Sequence, residues 1–175
     1  MDPVELDAMA IVAALNRHGV RYVVIGGFAA VLHGSPRTTQ DLDITPSTEG
    51  DNLARLAAAL RELDARLLAP GAAEPISWPW SPEAFSQFSS LATRTSAGDL
   101  DICLRPDAPG GRQFLYDELA TSAVVIQLPP DVPVAGLEDV IASKEASNRD
   151  KDRATLPELR DLLAALRSRR DHADR

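Results

Sequence analysis

The stretch that decides the fold is IGGFAAVLHGSPRTTQDLDI, residues 25–44. An apolar run ends at two adjacent glycines, and a polar loop then leads into Asp41-Leu42-Asp43. Side chains two positions apart on a strand point to the same face, so the two carboxylates stand together while Leu42 faces the core. The stretch therefore predicts a strand, a glycine turn, a short helix at 28–32, and a second strand that carries an acidic pair.

The glycine pair and the loop arginine each have two interpretations. Gly26 and Gly27 would let the backbone approach a phosphate closely at the start of a helix, or they simply form a turn that needs positive φ. Arg37 either binds a phosphate through its planar guanidinium or neutralises Asp41 and Asp43. The stretch alone does not decide between these roles.

A second acidic stretch, Asp99-Leu100-Asp101, repeats the pattern ahead of another apolar run. If its strand lies beside the strand of Asp41 and Asp43, Asp101 completes a cluster of three carboxylates. Such a cluster would hold Mg²⁺ or Mn²⁺, because these cations prefer carboxylate and phosphate oxygens. Taken one at a time, the acids also fit a solvent-facing strand edge, and Asp99 is interpreted as an acid of a hairpin turn.

The rest of the chain predicts a mixed α/β (α+β) domain. Longer helices are predicted at 4–18, 48–63, 137–147 and 156–169, and a shorter one at 112–120. Strands are predicted at 22–25, 41–44, 85–95, 99–104 and 123–129. Because no strand is followed by a GxGxxG turn, a Rossmann unit is not expected. We expect a mixed, twisted sheet flanked by helices, with a C-terminal helical segment.

Composition narrows the class of protein. The chain has 175 residues, one cysteine and a formal net charge of −8. A single cysteine allows no internal disulfide framework, and the sequence lacks a membrane span and a signal peptide, so we expect a cytoplasmic protein that does not enter the membrane. The acidic balance argues against a generic nucleic-acid binder, although residues 144–175 carry a small excess of basic side chains.

Together these features resemble the signature of the DNA polymerase β-like nucleotidyltransferase superfamily, in which an apolar residue and a glycine pair precede D-h-D, with h apolar. Ile25-Gly26-Gly27 and Asp41-Leu42-Asp43 match it. The longer pattern GGxAAxxHGxxRxTxDLDI, with a late K-x4-R-x-KD at residues 144–152, is similar to the AbiEii/MenT-type bacterial toxin nucleotidyltransferases. The motifs span residues 25–152, which is most of the chain.

The resemblance implies a nucleotidyltransferase core over residues 1–135, C-terminal helices at 136–170 that complete the active-site cleft, and a tail at 171–175. It implies that metal is bound by Asp41, Asp43 and Asp101, and that catalysis depends on these three acids and Lys144. It assigns nucleotide binding to Gly26, Gly27, Arg37, Lys144 and Asp152. Arg149 and Lys151 fit either a phosphate contact or a solvated helix end, and Thr155 stands where relatives often carry a further acid.

The implied reaction is transfer of a nucleoside monophosphate from an NTP, such as ATP, to an acceptor hydroxyl, with pyrophosphate released. The resemblance suggests a tRNA 3′ end or another RNA as acceptor, and a toxin that has an antitoxin protein as partner. Two alternatives stay open: transfer to a small molecule or a protein, and a nucleotide-binding module without turnover. Trp78 and Trp80 either stack on a base or plug a loop.

Overall fold

The centre of the fold is a mixed β-sheet. The computed structural model of the protein describes residues 4–173. Its strands are β1 (Tyr22–Ile25), β2 (Asp41–Pro46), β3 (Arg66–Leu67), β4 (Ser90–Thr95), β5 (Gly98–Cys103), β6 (Asp107–Ala108), β7 (Arg112–Gln113), β8 (Val124–Ile126) and β9 (Val132–Val134). β6 and β7 form a separate hairpin, and the other strands form a seven-stranded sheet in the order β3-β4-β5-β2-β1-β9-β8.

Helices flank this sheet. They are α1 (Ala8–Arg17), α2 (Gly26–Leu32), α3 (Gly50–Glu62), α4 (Pro82–Phe85), α5 (Tyr116–Ser122), α6 (Leu137–Ser147) and α7 (Asp150–Ala173). Asp7 caps α1, since its carboxylate accepts the N–H of Ala10 at 2.9 Å. The predicted architecture, a mixed sheet flanked by helices and followed by a C-terminal helical segment, is confirmed.

The two acidic stretches lie on central strands with alternating burial. In β2, Leu42 and Ile44 are fully buried, whereas Asp41 and Asp43 on the other face are half-buried. β5 alternates in the same way. Each strand thus places its apolar side chains in the core and its carboxylates on the opposite face, as a period of two requires.

Strand register brings the carboxylates together. β2 runs parallel to β5, and Asp43 lies directly beside Asp101. β1 runs antiparallel to β2 on its other side, and Ile25 lies beside Asp43. Because α2 begins at Gly26, immediately after β1 ends, the glycine pair comes to the same edge of the sheet as the acids.

The C-terminal helices close over this edge. α6 packs on both α2 and α7, around a small apolar cluster formed by Ala30, Leu137, Ile141, Leu156 and Leu159. Asn148 adopts a left-handed conformation, with φ 48°, and ends α6 so that the chain can turn into α7. No helix within residues 4–173 is both long and apolar enough to cross a membrane.

Element boundaries differ from the sequence-based prediction in several places. The strand predicted at 85–95 begins only at Ser90, because Ser81 caps a short helix with its hydroxyl 3.3 Å from the N–H of Ala84. The helix predicted at 112–120 begins at Tyr116, and β3 and β9 were not predicted. α7 begins earlier than predicted and continues to Ala173, into the predicted tail, while residues 174–175 lie outside the described residues.

Candidate active site

All of the predicted site residues line a single cavity of about 490 Å³ at this edge of the sheet. They come from β2, β5, α2, the loop before β2, and the two C-terminal helices. Sequence reasoning did not select Thr39, Arg105 and Asp139, which also line the cavity. Only Thr39 carried a signal, since it lies in the R-x-T-x-D pattern that leads into β2.

Three carboxylates face the cavity in a poorly solvated place. Burial raises the pKa of Asp43 to about 7, and the negative charges of Asp41 and Asp101 act in the same direction. Burial likewise raises the pKa of Asp101 to about 6, with a further contribution from Asp41. Like charges held this close oppose ionisation, so a cation bound here would stabilise the ionised carboxylates.

The chemistry of these donors fits a divalent cation. Within residues 4–173, no group of three or more His, Cys, Asp or Glu side chains is arranged to hold a metal on its own. Mg²⁺ commonly takes one or two carboxylates and completes its shell with water and substrate phosphates. Asp41 and Asp43 supply hard oxygen donors of this kind, with Asp101 beside them.

Both glycines allow the backbone at the start of α2 to lie close to neighbouring side chains. Gly26 has φ +67°, and a Cβ placed there would lie 2.1 Å from Oδ2 of Asp43. A Cβ on Gly27 would lie 3.0 Å from the hydroxyl oxygen of Thr39, and the backbone N–H of Gly27 donates to the Asp43 carboxylate. Gly26 therefore has the positive φ that the turn interpretation requires. The side chain that its backbone approaches most closely is that of Asp43.

Asp152 organises the cations of the late motif. Its carboxylate is fully buried, accepting from Lys144 Nζ at 3.1 Å and from Arg149 Nε at 2.6 Å. Burial acts to raise the pKa of Asp152, but these two hydrogen bonds outweigh it and hold the pKa below its ordinary value. Asp152 was predicted to bind nucleotide, whereas here both of its oxygens hold Lys144 and Arg149 at the cavity.

Arg37 pairs with a residue that sequence reasoning did not consider. Its Nε donates to Oε2 of Glu158 at 2.9 Å, and a terminal nitrogen donates to the carbonyl of Ala154 at 3.3 Å. Its ion pair is therefore made with α7 and not with Asp41 or Asp43. The side chain nevertheless lines the cavity and is 48% exposed, so it stays accessible to a ligand.

The remaining candidates have structural positions. Asp99 forms a bidentate ion pair with Arg94, at 2.8 and 3.0 Å. Trp80 is buried, donates to the carbonyl of Ala65 at 3.0 Å and stacks on Phe85, as expected of a loop plug. Cys103 lines the cavity, but burial raises the pKa of its thiol well above the usual range and disfavours a nucleophilic thiolate.

Solved structures of similar fold are nucleotidyltransferases. A lincosamide antibiotic adenylyltransferase, LnuA, with lincomycin bound, is 15% identical, with 92% of this chain and 99% of that chain covered and a TM-score of 0.59. The antibiotic-resistance factor ANT(2'')-Ia is 16% identical, with 95% of this chain and 94% of that chain covered and a TM-score of 0.53. At such identities these likenesses establish the fold alone.

The family is identified by the sequence as a whole. A search among proteins with curated descriptions finds no match. Residues 8–174, however, match the family described as nucleotidyl transferase AbiEii toxin, type IV toxin–antitoxin system. Because that match takes in nearly the whole chain, and because the fold agrees with it, the protein belongs to the AbiEii nucleotidyltransferase family and is a nucleotidyltransferase.

Proposed function

We propose that the protein transfers a nucleoside monophosphate from an NTP to an acceptor hydroxyl in a Mg²⁺-dependent reaction. The observation that carries this proposal is the pairing of β2 with β5, which sets Asp41, Asp43 and Asp101 side by side in one cavity. The same cavity is lined by the glycine pair and by Lys144. Acidic donors for a metal and a cation for phosphates are thus available at one site.

Asp41 and Asp43 would hold the divalent cation, Mg²⁺ or Mn²⁺, and Asp101 would share it. When bound, the cation neutralises phosphate charge and lowers the pKa of the acceptor hydroxyl. Thr39 supports this arrangement, since its hydroxyl donates to Oδ1 of Asp41 at 2.8 Å and so fixes that carboxylate. Asp43 is buried and lies beside other negative charges, so its ionised form is unfavourable without a cation. A bound cation would remove this repulsion.

The triphosphate would lie between the glycine pair and α6. Lys144 is only 15% exposed and is held by Asp152, so its ammonium is positioned in advance for phosphate oxygens. Arg37, from the loop before β2, offers a further cation to the same phosphates. Asp152 contributes indirectly, by orienting Lys144 and Arg149.

The acceptor oxygen would attack the α-phosphorus, and the bond from that phosphorus to the bridging oxygen of the β-phosphate would break. Pyrophosphate leaves with the bonding electrons, and the proton of the acceptor hydroxyl passes to Asp101. Asp101 suits this role because its carboxylate lies beside Asp43 and lines the same cavity. Asp101 therefore acts as the general base.

We infer that the acceptor is an RNA 3′ end, such as that of a tRNA, and basic side chains in the cavity support this proposal. Arg105 lines the cavity, as does Lys151, whose charge also acts on Asp43 and Asp101. Such side chains would contact the phosphate backbone of an RNA acceptor. The net charge of −8 limits the RNA footprint to this local patch.

The direct test is label transfer. The protein is incubated with Mg²⁺, each labelled NTP in turn and total RNA, beside an Asp41→Asn/Asp43→Asn variant and an Asp99→Asn variant as a matched acid control. We expect labelled tRNA with the wild-type protein and the control, and none with the double variant. Absence of transfer to RNA, protein or small molecules while NTP binding persists would establish the alternative, a nucleotide-binding module without turnover.

We also propose that the activity is that of a cytoplasmic toxin restrained by an antitoxin protein, as the family description suggests. Expression of the chain alone should slow bacterial growth, and expression of Asp43→Asn should not. Co-expression of a protein encoded beside it should restore growth. Growth inhibition by the Asp43→Asn variant to the same extent would contradict a toxic role for nucleotide transfer.

A further inference from the structure

The loop of residues 35–40, which leads into β2, is fastened to α7 mainly by the side chain of Glu158. Ser35 donates its hydroxyl to Oε1 of Glu158 at 2.7 Å, and Arg37 Nε donates to Oε2 at 2.9 Å. A terminal nitrogen of Arg37 also donates to the carbonyl of Ala154, one turn earlier in α7, at 3.3 Å. Both carboxylate oxygens of Glu158 are therefore used to hold this loop.

The other end of the same loop contacts the proposed metal and phosphate sites. Thr39 donates to Oδ1 of Asp41 at 2.8 Å, and its hydroxyl oxygen lies 3.0 Å from where a Cβ on Gly27 would be. A shift of the loop would move the Thr39 hydroxyl, which is both the hydrogen-bond donor to Asp41 and the side-chain group next to Gly27. Glu158 itself does not line the cavity, so it can act only through the loop.

Helix α7 carries two such supports on one rigid element. Asp152 holds Lys144 and Arg149 near its start, and Glu158 holds Ser35 and Arg37 further along. The hydrogen bond from Ser35, and then the pairing with Arg37, lower the pKa of Glu158 and keep it ionised. One helix therefore positions cations on two sides of the cavity.

We propose that Glu158 is a positioning residue for nucleotide binding: it orients Arg37 toward the cavity and fixes loop 35–40 against Asp41. The proposal rests on the proposed function, since it assigns Arg37 to the phosphates of the NTP. Arg37 is 48% exposed, and exposed ion pairs add little to the stability of a fold. Loss of the pair should therefore weaken nucleotide binding through lost pre-organisation, while the fold persists.

The first test is kinetic. In Glu158→Gln the amide oxygen can still accept from Ser35, but the charge that pairs with Arg37 is gone. We expect the KM for NTP to rise about tenfold with kcat changed by less than about threefold, because the loss falls on binding. Arg37→Met should give the same rise, and the double variant should give no more than Arg37→Met alone, since the two residues act as a unit.

A matched control is available in another ion pair made by α7. Glu138→Gln removes the ion pair between Glu138 and Arg167, which joins α6 to α7 at 3.2 Å and does not line the cavity. This variant loses the same charge and should leave KM unchanged. Additive effects of Arg37→Met and Glu158→Gln, or an equal rise in KM for Glu138→Gln, would overturn the proposal.

The second test does not depend on turnover. Amide hydrogen exchange is measured for residues 37–40 in the nucleotide-free protein, and we expect it to be about tenfold faster in Glu158→Gln than in wild type or Glu138→Gln. Unchanged exchange would refute the fastening role of Glu158. If exchange is faster in Glu158→Gln but the wild-type protein binds no NTP, the proposed function and the assignment of Arg37 are refuted, while the structural contact stands.

Discussion

Two stretches of this protein have the same three letters, Asp-Leu-Asp, and lie side by side in register on β2 and β5. In β2 both acids line the cavity, whereas in β5 only Asp101 does so. The difference comes from a neighbour: Arg94 on β4 pairs with both oxygens of Asp99. The role of an acid in such a motif thus depends on which side chain the adjacent strand supplies.

The largest expected effect comes from neutralising Asp43, whose burial and like-charged neighbours raise its pKa to about 7. Asp43→Asn should reduce nucleotide transfer by about a thousandfold, because a metal ligand is lost. The fold should be at least as stable as wild type at pH 8 without metal, because a repelled charge is removed. Transfer assays and thermal unfolding measure the two effects; near-normal transfer would exclude Asp43 as a ligand.

The second test sets Asp101 against Asp99. Asp101→Asn should lower kcat by about a hundredfold or more through loss of the general base. Asp99→Asn should leave kcat within about threefold of wild type but destabilise the fold by about 1 kcal/mol, since Arg94 loses its partner. Single-turnover rates and urea unfolding provide the comparison, and equal losses of activity would mean that both acids serve the reaction.

The third test uses the glycine beside each acidic stretch. Gly26→Ala should lower transfer at least about tenfold, because its Cβ would lie 2.1 Å from the Asp43 carboxylate. Gly98→Ala, with φ +107° and a Cβ 2.7 Å from Cα of Leu6, should lower the melting temperature without changing the Mg²⁺ dependence of the remaining activity. If Gly98→Ala changed the Mg²⁺ dependence of transfer, a purely structural role for Gly98 would be contradicted.

The smallest expected effect is on stability as a function of pH. The pKa values of Asp43 and Asp101 are raised to about 7 and about 6, so the folded protein binds more protons than the unfolded chain between about pH 4 and pH 7. Without metal, stability should therefore fall as the pH rises across that window. Mg²⁺ should restore stability at pH 8, and Asp43→Asn should flatten the curve. A rise in stability across the window would refute the assigned shifts.

The site could be predicted from sequence wherever it depends on local periodicity. Alternation in Asp41-Leu42-Asp43 placed two acids on one face, and the glycine pair marked the end of β1. The neighbouring position of Asp101 followed only on the assumption that β5 joins β2, which the register confirms. The family resemblance, now confirmed, supplied the link between the two stretches.

What could not be predicted depends on contacts between distant residues. Nothing near Arg37 in the sequence points to Glu158, and nothing in KEASNRDKDR distinguishes the buried Asp152 from its exposed neighbours. β9 also escaped prediction, because it is short and contains Pro133, which a sequence reading treats as unfavourable in a strand. Such pairings are decided by tertiary packing, which has no local periodic signal.

The parallel pairing of β2 with β5 also has a kinetic meaning. Parallel neighbours cannot be joined by a hairpin, and here the connection runs through α3, β3, α4 and β4 before Asp101 reaches Asp43. Contacts between residues so far apart in sequence form slowly during folding. The carboxylates thus meet only when much of the sheet has assembled, so partly folded chains should be inactive. For an enzyme proposed to be toxic, activity would appear only after folding, with an interval in which a partner can bind the new chain.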